Sequence, residues 1–381
     1  MRVAIAGLGL RSAHVIKLLR EVLPELQVVG YVDPSPCGLE RLGVTTPLKS
    51  FPGVSAMLSD TTPDLLFVGS PNHLHLEHIR AGLEAKVRIF TEKPVVTNEA
   101  QTFELAELLA QYGADRVLVG LVLRYSRHMR DLREGMRQGW LGPVASMEAN
   151  EHIAPYHGSF FMRDWRRKVA YSGGFMLEKC CHDLDLYNMI AGCRPVRVAS
   201  FGGRRSFVPE HAPPEGAHDD VYQVKRSYWE AAEDPFRSDA DIIDFQTATM
   251  EFESGAGMVF HTNLNTPDQH RRFCVIGAQG MAEGDFMRGY LRITEARTGK
   301  RLLDQDYAST SRDPSGHYGA DEMMVADLAA YFREETDTLP VSIVDALEAG
   351  LVALELDEAR LSGTVRDLTP LWKRLDAFGL R

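Results

Sequence analysis

The chain has 381 residues, and 44% of them are hydrophobic. This length exceeds the size at which a single hydrophobic core usually stops growing. We therefore expect two domains. The 42 basic and 53 acidic residues leave a net charge of -11, with no basic block. This balance argues against nucleic acid or an anionic membrane as a partner, because both would favour clustered Lys and Arg.

The location of the protein is predicted from its cysteines and its apolar runs. Five cysteines are scattered through the chain, too few for a disulfide framework at this length, so a reducing cytoplasm is expected. The sequence begins with a predicted strand and shows no cleavable signal. No apolar stretch approaches the roughly 18 residues that a membrane span requires.

The first third of the chain alternates short apolar runs with amphipathic stretches. Strands without polar alternation are buried on both faces, so this pattern predicts a doubly wound parallel sheet covered by helices, in a domain over residues 1–123. The predicted strands are Val3–Ala6, Val28–Val32, Leu65–Val68, Val87–Phe90 and Val117–Leu121.

Residues 124–381 have a different texture and predict a second, α+β domain for substrate binding and oligomerisation, built on a large open, mostly antiparallel sheet. Its predicted elements include a helix over 125–137, an irregular stretch over 152–168, a hairpin over 244–261 and a strand over 272–276. A long loop or insertion is expected over 202–241, and the tail over 321–362 is helical by period.

A glycine loop follows the first strand and opens the first helix. In this context Gly7 makes a tight turn, and Gly9 lets a pyrophosphate approach the backbone at the start of the helix. The third glycine of the usual fingerprint is replaced by Ser12, and a purely structural turn is the alternative. Asp33 ends the second strand, where a carboxylate can bind an adenosine ribose and repel a 2'-phosphate. NAD is therefore favoured over NADP, although Arg11 or Arg41 could soften this preference.

Two further segments lie at the predicted carboxyl edge of the sheet. Ser70-Pro71-Asn72-His73-Leu74-His75 follows the third strand, and we expect Asn72 and His75 to contact the nicotinamide half of the cofactor. The fourth strand leads into Thr91-Glu92-Lys93-Pro94, which places a lysine where it can polarise a substrate oxygen. The histidines of the first segment lack carboxylate or thiolate neighbours, so capping or solvated side chains are favoured over a metal site.

A second-domain helix carries three titratable groups at helical spacing. Gly173-Gly174 introduces the helix, and Glu178, His182 and Asp185 follow at i, i+4 and i+7, on one face. Histidine is suited to take a hydroxyl proton near neutral pH, and a neighbouring carboxylate can orient its ring. A solvated face with ordinary ion pairs is the alternative. Cys180 and Cys181 point away from His182, so no metal site is predicted.

Together these segments resemble the glucose-fructose oxidoreductase, inositol dehydrogenase and MocA (Gfo/Idh/MocA) family over nearly the whole chain. The pair that carries the resemblance is Glu92-Lys93-Pro94 and the Gly-Gly-x3-acid-x3-His helix. The resemblance implies a Rossmann domain followed by a domain on a large open sheet, with NAD(P)-dependent oxidation or reduction of a sugar, cyclitol or related polyol. Two departures are Ser12 in place of glycine and Glu178 in place of the aspartate of many members.

The resemblance also implies residue roles. Lys93 would bind and polarise the reacting oxygen, His182 would act as general acid/base, and Glu178 would be the third catalytic group. The substrate would contact Lys93, His182, Arg124, Trp165, Arg166, Asp185 and His317, the last in the loop Gly316–Asp321. The cofactor would be held by Gly7, Leu8, Gly9, Leu10, Arg11, Asp33, Ser70, Pro71, Asn72, His75, Glu92 and Lys93.

The sequence thus predicts an NAD-dependent dehydrogenase, with NADP also open, that forms a homodimer or homotetramer. Two rivals stay open. The first is an NAD-dependent glycosidase working by transient oxidation and elimination. The second is a non-catalytic sugar or dinucleotide sensor, against which the presence of Lys93 and His182 argues.

Overall fold

The computed structural model describes residues 1–43, 47–308 and 317–381. These residues divide into two compact units. Unit 1 comprises Met1–Tyr125, Ala320–Leu351 and Trp372–Arg381, and unit 2 comprises Ser126–Gly319 and Val352–Leu371. The expected domain boundary between residues 123 and 124 stays a prediction. Unit 1 also includes two segments near the carboxyl end of the chain.

Unit 1 contains a parallel sheet of five strands. Its strands and helices are β1 Arg2–Ala6, α1 Leu10–Val22, β2 Gln27–Val32, α2 Val54–Thr61, β3 Leu65–Val68, α3 His75–Glu84, β4 Arg88–Thr91, α4 Glu99–Tyr112 and β5 Val117–Val119. The strand order in the sheet is β2-β1-β3-β4-β5. The strand β3 is buried along its whole length, as expected for a strand covered on both faces. The predicted doubly wound sheet is therefore confirmed.

Unit 2 is built on a nine-stranded sheet. The strands are β6 Val144–His152, β7 Pro195–Gly203, β8 Phe245–Phe252, β9 Gly257–Asn263, β10 Arg272–Gly277, β11 Gly280–Asp285, β12 Tyr290–Glu295, β13 Arg301–Asp306 and β14 Arg366–Asp367. Their order in the sheet is β13-β12-β11-β10-β6-β9-β8-β7-β14. All neighbouring strands are antiparallel except β6 and β9, so the expected large, open and mostly antiparallel sheet is confirmed.

The remaining helices accompany these sheets. They are α5 Arg127–Arg137, α6 Pro155–Arg163, α7 Val169–Ser172, α8 Phe175–Ala191, α9 Asp219–Tyr222, α10 Ala320–Phe332, α11 Ile343–Ser362 and α12 Thr369–Asp376. No helix among the residues that the structure describes is long and apolar enough to cross a bilayer.

Two local expectations are corrected. The stretch 152–168 is not irregular throughout, because Pro155 occupies the first turn of α6, where its missing amide hydrogen costs nothing. The tail over 321–362 is helical by period but not throughout: α10 ends at Phe332, α11 begins at Ile343, and between them Glu334 adopts a positive φ of 59°, which a helix cannot continue. The segment 202–241 is largely without regular structure, as predicted.

Candidate active site

The glycine loop of unit 1 is shaped by two different demands on its backbone. Gly7 has a φ of +87°, and a Cβ there would lie 2.2 Å from the backbone nitrogen of Ser70, so the loops after β1 and β3 touch through their main chains. A Cβ at Gly9 would meet nothing within 4 Å. Gly9 precedes α1, whose amino end has no side-chain cap and no acidic residue in its first turn. This open, positively polarised backbone suits a pyrophosphate.

Ser12 takes the place of the third glycine without opening the packing between helix and strand. Its side chain is 1% exposed, and its hydroxyl oxygen would lie 2.2 Å from a Cβ placed on Gly69. The glycine that makes room for this close packing is therefore Gly69, after β3, rather than a glycine within α1. The departure is compatible with a dinucleotide loop.

Asp33 lies directly after β2, at the same edge of the sheet. Its two carboxylate oxygens accept hydrogen bonds from the amides of Leu8 and Ser35, each at 2.7 Å. The carboxylate is thereby attached to the glycine loop and remains half-exposed, as ribose recognition requires.

Arg11 is tied to two carboxylates of unit 1. Its Nε lies 2.9 Å from Glu92 and its Nη1 lies 2.7 Å from Asp321, which is fully buried. Burial lowers the pKa of Arg11, but the two carboxylates outweigh burial and raise the pKa above its ordinary value. Arg11 therefore bridges the glycine loop to Glu92. Arg41, the other arginine weighed for cofactor preference, lies with Nη2 3.4 Å from His14 Nδ1.

Lys93 follows β4 through Glu92, and its bond to Pro94 is cis. The segment is held by His75, whose Nδ1 lies 2.8 Å from the Pro94 carbonyl and whose Nε2 lies 2.8 Å from the Ser70 carbonyl. His75 is 1% exposed, so its ring joins the two loops at the carboxyl edge of the sheet. Direct cofactor contacts by His75, by Asn72, which is 4% exposed, and by the adjoining Pro71 stay predictions.

Arg124 is also buried within unit 1, at 6% exposure. Its Nη1 donates to the Pro340 carbonyl at 3.0 Å and lies 3.4 Å from the carboxylate of Asp345. These contacts anchor the segment that follows β5 to the start of α11. A substrate contact by Arg124 stays a prediction.

In unit 2 the predicted stripe of Glu178, His182 and Asp185 lies on α8 and is buried, at 4%, 4% and 1% exposure. A solvated face is therefore contradicted. The helix starts after Gly173 and Gly174, whose φ values of 80° and 94° only glycine adopts readily. Buried polar side chains need hydrogen-bond or charge partners, so this stripe is not an ordinary apolar packing face.

Glu178 is held by Arg166. The Nε of Arg166 donates to the Glu178 carboxylate at 2.8 Å, and its Nη1 donates to Asp164 at 2.6 Å. Burial lowers the pKa of Arg166, but both carboxylates outweigh it and the pKa is raised. The guanidinium also lies over the Trp165 ring, 4.2 Å from its centroid. Glu178 is thus a carboxylate held in one orientation by Arg166, one helical turn before His182.

Two more predicted residues lie near this helix. The ring centroid of His317 is 6.2 Å from that of His182, so these two histidines are brought together. Trp165 is 8% exposed and packs with its ring centroid 6.3 Å from that of Trp229. Gly316, part of the predicted pocket loop, lies outside the described residues.

A buried charge network fixes α8 against the sheet. Arg271, which is 2% exposed, donates to both oxygens of Asp183 at 2.8 and 2.6 Å, and its Nε lies 3.0 Å from Glu151 on β6. Lys179 on α8 lies 3.1 Å from the other Glu151 oxygen. Because a buried charge without its partner is costly, this network holds the stripe at one position on the sheet.

Two sequence models match the chain. Residues 1–121 match the model described as "Oxidoreductase family, NAD-binding Rossmann fold", and residues 129–283 match the "GFO/IDH/MocA C-terminal domain". The chain belongs to the Gfo/Idh/MocA oxidoreductase family. The resemblance predicted from Lys93 and the α8 motif is confirmed, and a nicotinamide cofactor follows from the family.

Similar proteins extend this result. YteT of Bacillus subtilis (strain 168) is 23% identical, with matches over 93% of this chain and 94% of YteT. The structure of myo-inositol 2-dehydrogenase from Lactobacillus plantarum has a TM-score of 0.72 at 16% identity, covering 96% of this chain and 99% of that one. A levoglucosan dehydrogenase in complex with NADH and levoglucosan has a TM-score of 0.73 at 16% identity, covering 97% and 99%. At 16% identity, the similarity to these two structures supports the fold of this chain and nothing about its substrate.

Several residues that shape the site escape sequence reasoning. No local pattern predicts the pairing of Asp321 with Arg11 or of Asp183 with Arg271, because the partners lie 310 and 88 positions apart in the chain. Asp183 follows His182 in a helix that carries other charged residues, so no local signal in the sequence marks it. In the part of the chain that the structure describes, no group of three His, Cys, Asp or Glu residues could hold a metal ion.

Proposed function

We propose that the chain is an NAD(P)-dependent dehydrogenase that transfers a hydride between a nicotinamide cofactor and a secondary alcohol or ketone of a sugar, cyclitol or related polyol. The observation that carries the proposal is Lys93, which follows β4 at the carboxyl edge of the NAD-binding sheet. The links from His75 to Ser70 and Pro94, and from Arg11 to Glu92, attach this segment to the two neighbouring loops.

The described residues fit a dinucleotide. Gly9 leaves open space at the uncapped start of α1, and Asp33 offers a half-exposed carboxylate after β2. When bound, the nicotinamide ring supplies the acceptor or donor of the hydride. We propose that Gly7–Arg11 and Asp33 hold the dinucleotide, with Ser70–Asn72, His75, Glu92 and Lys93 at the sheet edge beside it.

NAD is proposed as the preferred cofactor because the Asp33 carboxylate would repel a 2'-phosphate. The substitution Asp33→Asn keeps the shape and removes the charge. We expect it to raise the ratio of kcat/KM for NADP over NAD about tenfold, equivalent to roughly 1.4 kcal/mol. Steady-state rates with both cofactors at fixed substrate measure this ratio.

The matched control is Asp60→Asn, an exposed aspartate of the same unit that pairs with Lys49. It should leave the cofactor ratio unchanged. An Asp33→Asn enzyme with the unaltered preference would show that another residue sets cofactor choice.

Two side chains carry the proposed chemistry. Lys93 binds the reacting oxygen and stabilises the alkoxide that develops as the hydride leaves the same carbon. His182 takes the hydroxyl proton in oxidation and returns it in reduction. Glu178, oriented by Arg166, is proposed to orient the His182 ring.

Substrate positioning is proposed for the other predicted residues. Asp185 would accept hydrogen bonds from substrate hydroxyls, and Arg166 and His317 would donate to substrate oxygens. Trp165 would supply an apolar wall. Arg124 is also proposed to contact the substrate, and its bonds to Pro340 and Asp345 fix the position of its own segment.

The function is tested by a screen of cyclitols, aldoses, keto-sugars and glycosides, followed by NADH or NADPH absorbance with each cofactor in parallel. Formation of reduced cofactor with at least one free polyol is expected. Release of free sugar from a glycoside without net reduced cofactor would instead identify the glycosidase. Tight cofactor binding without turnover of any compound in the panel would identify a sensor.

We also propose a homodimer or homotetramer. The outer face of the nine-stranded sheet exposes large apolar side chains, with Phe201 72%, Val259 50% and Ile276 45% exposed. Exposed apolar surface of this kind is typical of association sites. Sedimentation equilibrium should show a dimer or tetramer, and a monomer throughout the micromolar range would contradict the proposal. The cytoplasmic location stays a prediction.

A further inference from the structure

Lys225 is a half-buried cation in unit 2 whose surroundings are aromatic. Its ammonium lies 5.6 Å from the ring centroids of both Tyr156 and Phe160 on α6. Among the described residues no carboxylate lies within ion-pair distance of this ammonium or favours its charge. A lysine usually keeps its charge in water or beside an acid, so this arrangement calls for an explanation.

The neighbouring cations differ from Lys225 because each has its own acidic partners. Arg166 is bound by Asp164 and Glu178, and Lys179 is bound by Glu151. These pairs compensate the charges of Arg166 and Lys179 before any ligand arrives. The charge of Lys225 is the one left without compensation among these three cations.

The charges of Lys225, Lys179 and Arg166 act on one another and on His157. Burial, followed by repulsion from Lys179 and Arg166, lowers the pKa of Lys225 to about 8. Burial and the charges of Lys179, Lys225 and Arg166 also lower the pKa of His157 well below its ordinary value. The local potential is therefore positive, and an anion bound beside Lys225 would reduce the repulsion among these groups.

This positive region adjoins the residues proposed to act on substrate. The guanidinium of Arg166 lies 5.6 Å from the centroid of the same Phe160 ring that Lys225 contacts, and it binds Glu178 on α8. His317 contributes to the positive potential at His157 and lies beside His182. All of these residues belong to unit 2.

We propose that Lys225, with Arg166 beside it, forms an anion subsite, so that the substrate of this dehydrogenase is a sugar or cyclitol derivative bearing a carboxylate or a phosphate ester. The inference rests on the proposed function and narrows its substrate class. The ammonium binds the anionic group, while the hydroxyl-bearing carbon is oxidised as proposed above. The purely structural alternative, a lysine held only by its two aromatic neighbours, gives no reason for an ammonium here whose charge no carboxylate of the described residues compensates.

The test compares matched compounds with wild-type enzyme at saturating NAD. Each set contains a neutral compound, the corresponding sugar acid and the corresponding sugar phosphate: glucose, glucuronate and glucose 6-phosphate, and likewise galactose, galacturonate and galactose 6-phosphate. We expect kcat/KM for one anionic member to exceed that of the neutral member about tenfold or more. The acid and phosphate arms identify which anion the subsite takes.

The variant Lys225→Met removes the charge and keeps the length of the side chain. We expect the ratio of kcat/KM for the anionic over the neutral member to fall about tenfold, mainly through a higher KM for the anion. Lys225→Arg keeps the charge and should retain most of the ratio. Lys300→Met, at an exposed position of unit 2, is the control and should leave the ratio at its wild-type value.

Two results would overturn the inference while leaving the proposed function intact: oxidation of the neutral members as efficiently as the anionic ones, or equal losses on both in Lys225→Met. Failure to oxidise any member with either cofactor would count against the proposed function instead. In that case calorimetry decides the subsite, because weaker binding of sugar acid or phosphate to Lys225→Met supports it and equal binding overturns it.

Discussion

Replacing Lys93 with alanine should lower kcat by about a thousandfold while cofactor affinity changes little. The reason is that an ammonium aimed at a developing alkoxide stabilises the transition state far more than the ground state. The loops proposed to hold the dinucleotide are joined by hydrogen bonds of Asp33 and His75, in which the Lys93 ammonium takes no part. Cofactor affinity is measured by fluorescence titration with NADH, and turnover is measured on the best compound of the screen.

The matched control is Lys49→Ala, which removes a lysine of the same unit that is 60% exposed. It should leave both kcat and cofactor affinity at wild-type values. Lys93→Arg keeps a positive charge but changes its shape and should recover only part of the activity. Turnover of Lys93→Ala within a few-fold of wild type would remove Lys93 from the mechanism.

Replacing His182 with alanine should lower kcat/KM by a factor of about 10² to 10⁴, the usual contribution of a positioned general acid/base. His182 is 4% exposed on α8 and stands one turn after Glu178, whose carboxylate is fixed by Arg166. The alanine variant leaves space for a small base. Added imidazole should therefore restore part of the activity, which a structural role of His182 would not allow.

The control for this experiment is His211→Ala, at an exposed histidine of the same unit. It should show wild-type kcat/KM and no response to imidazole. Circular dichroism separates loss of chemistry from loss of folding in both variants. A folded His182→Ala enzyme with wild-type activity would assign the proton transfer to another group.

The sequence was sufficient to predict the local elements whose patterns are strong. All five strands of the Rossmann sheet agree with the prediction within about two residues, because short apolar runs separated by amphipathic stretches are typical of buried strands. The hairpin of β8 and β9 was predicted from its period of two around a turn at Ser254 and Gly255. The helix α8 was predicted from Gly173-Gly174 and from the polar spacing of Glu178, His182 and Asp185.

What the sequence could not predict depends on contacts between distant segments. Arg271 binds Asp183 across 88 positions, and Arg11 binds Asp321 across 310, so no local pattern reports either pair. Whether Glu178, His182 and Asp185 are buried or solvent-exposed could not be predicted, because their spacing on α8 is compatible with both. The structure shows that they are buried. The packing of Ser12 against Gly69 could not be predicted either, because the sequence does not show which loop lies beside the Ser12 side chain.

The central claim, hydride transfer from a carbinol carbon to a nicotinamide cofactor, is tested most directly with a labelled substrate. The best compound of the screen is prepared with deuterium on the carbon to be oxidised, and the reduced cofactor is analysed by mass spectrometry. We expect one deuterium in every reduced cofactor molecule and a slower rate for the deuterated compound when hydride transfer limits turnover. Product formation with an unlabelled cofactor would contradict the account.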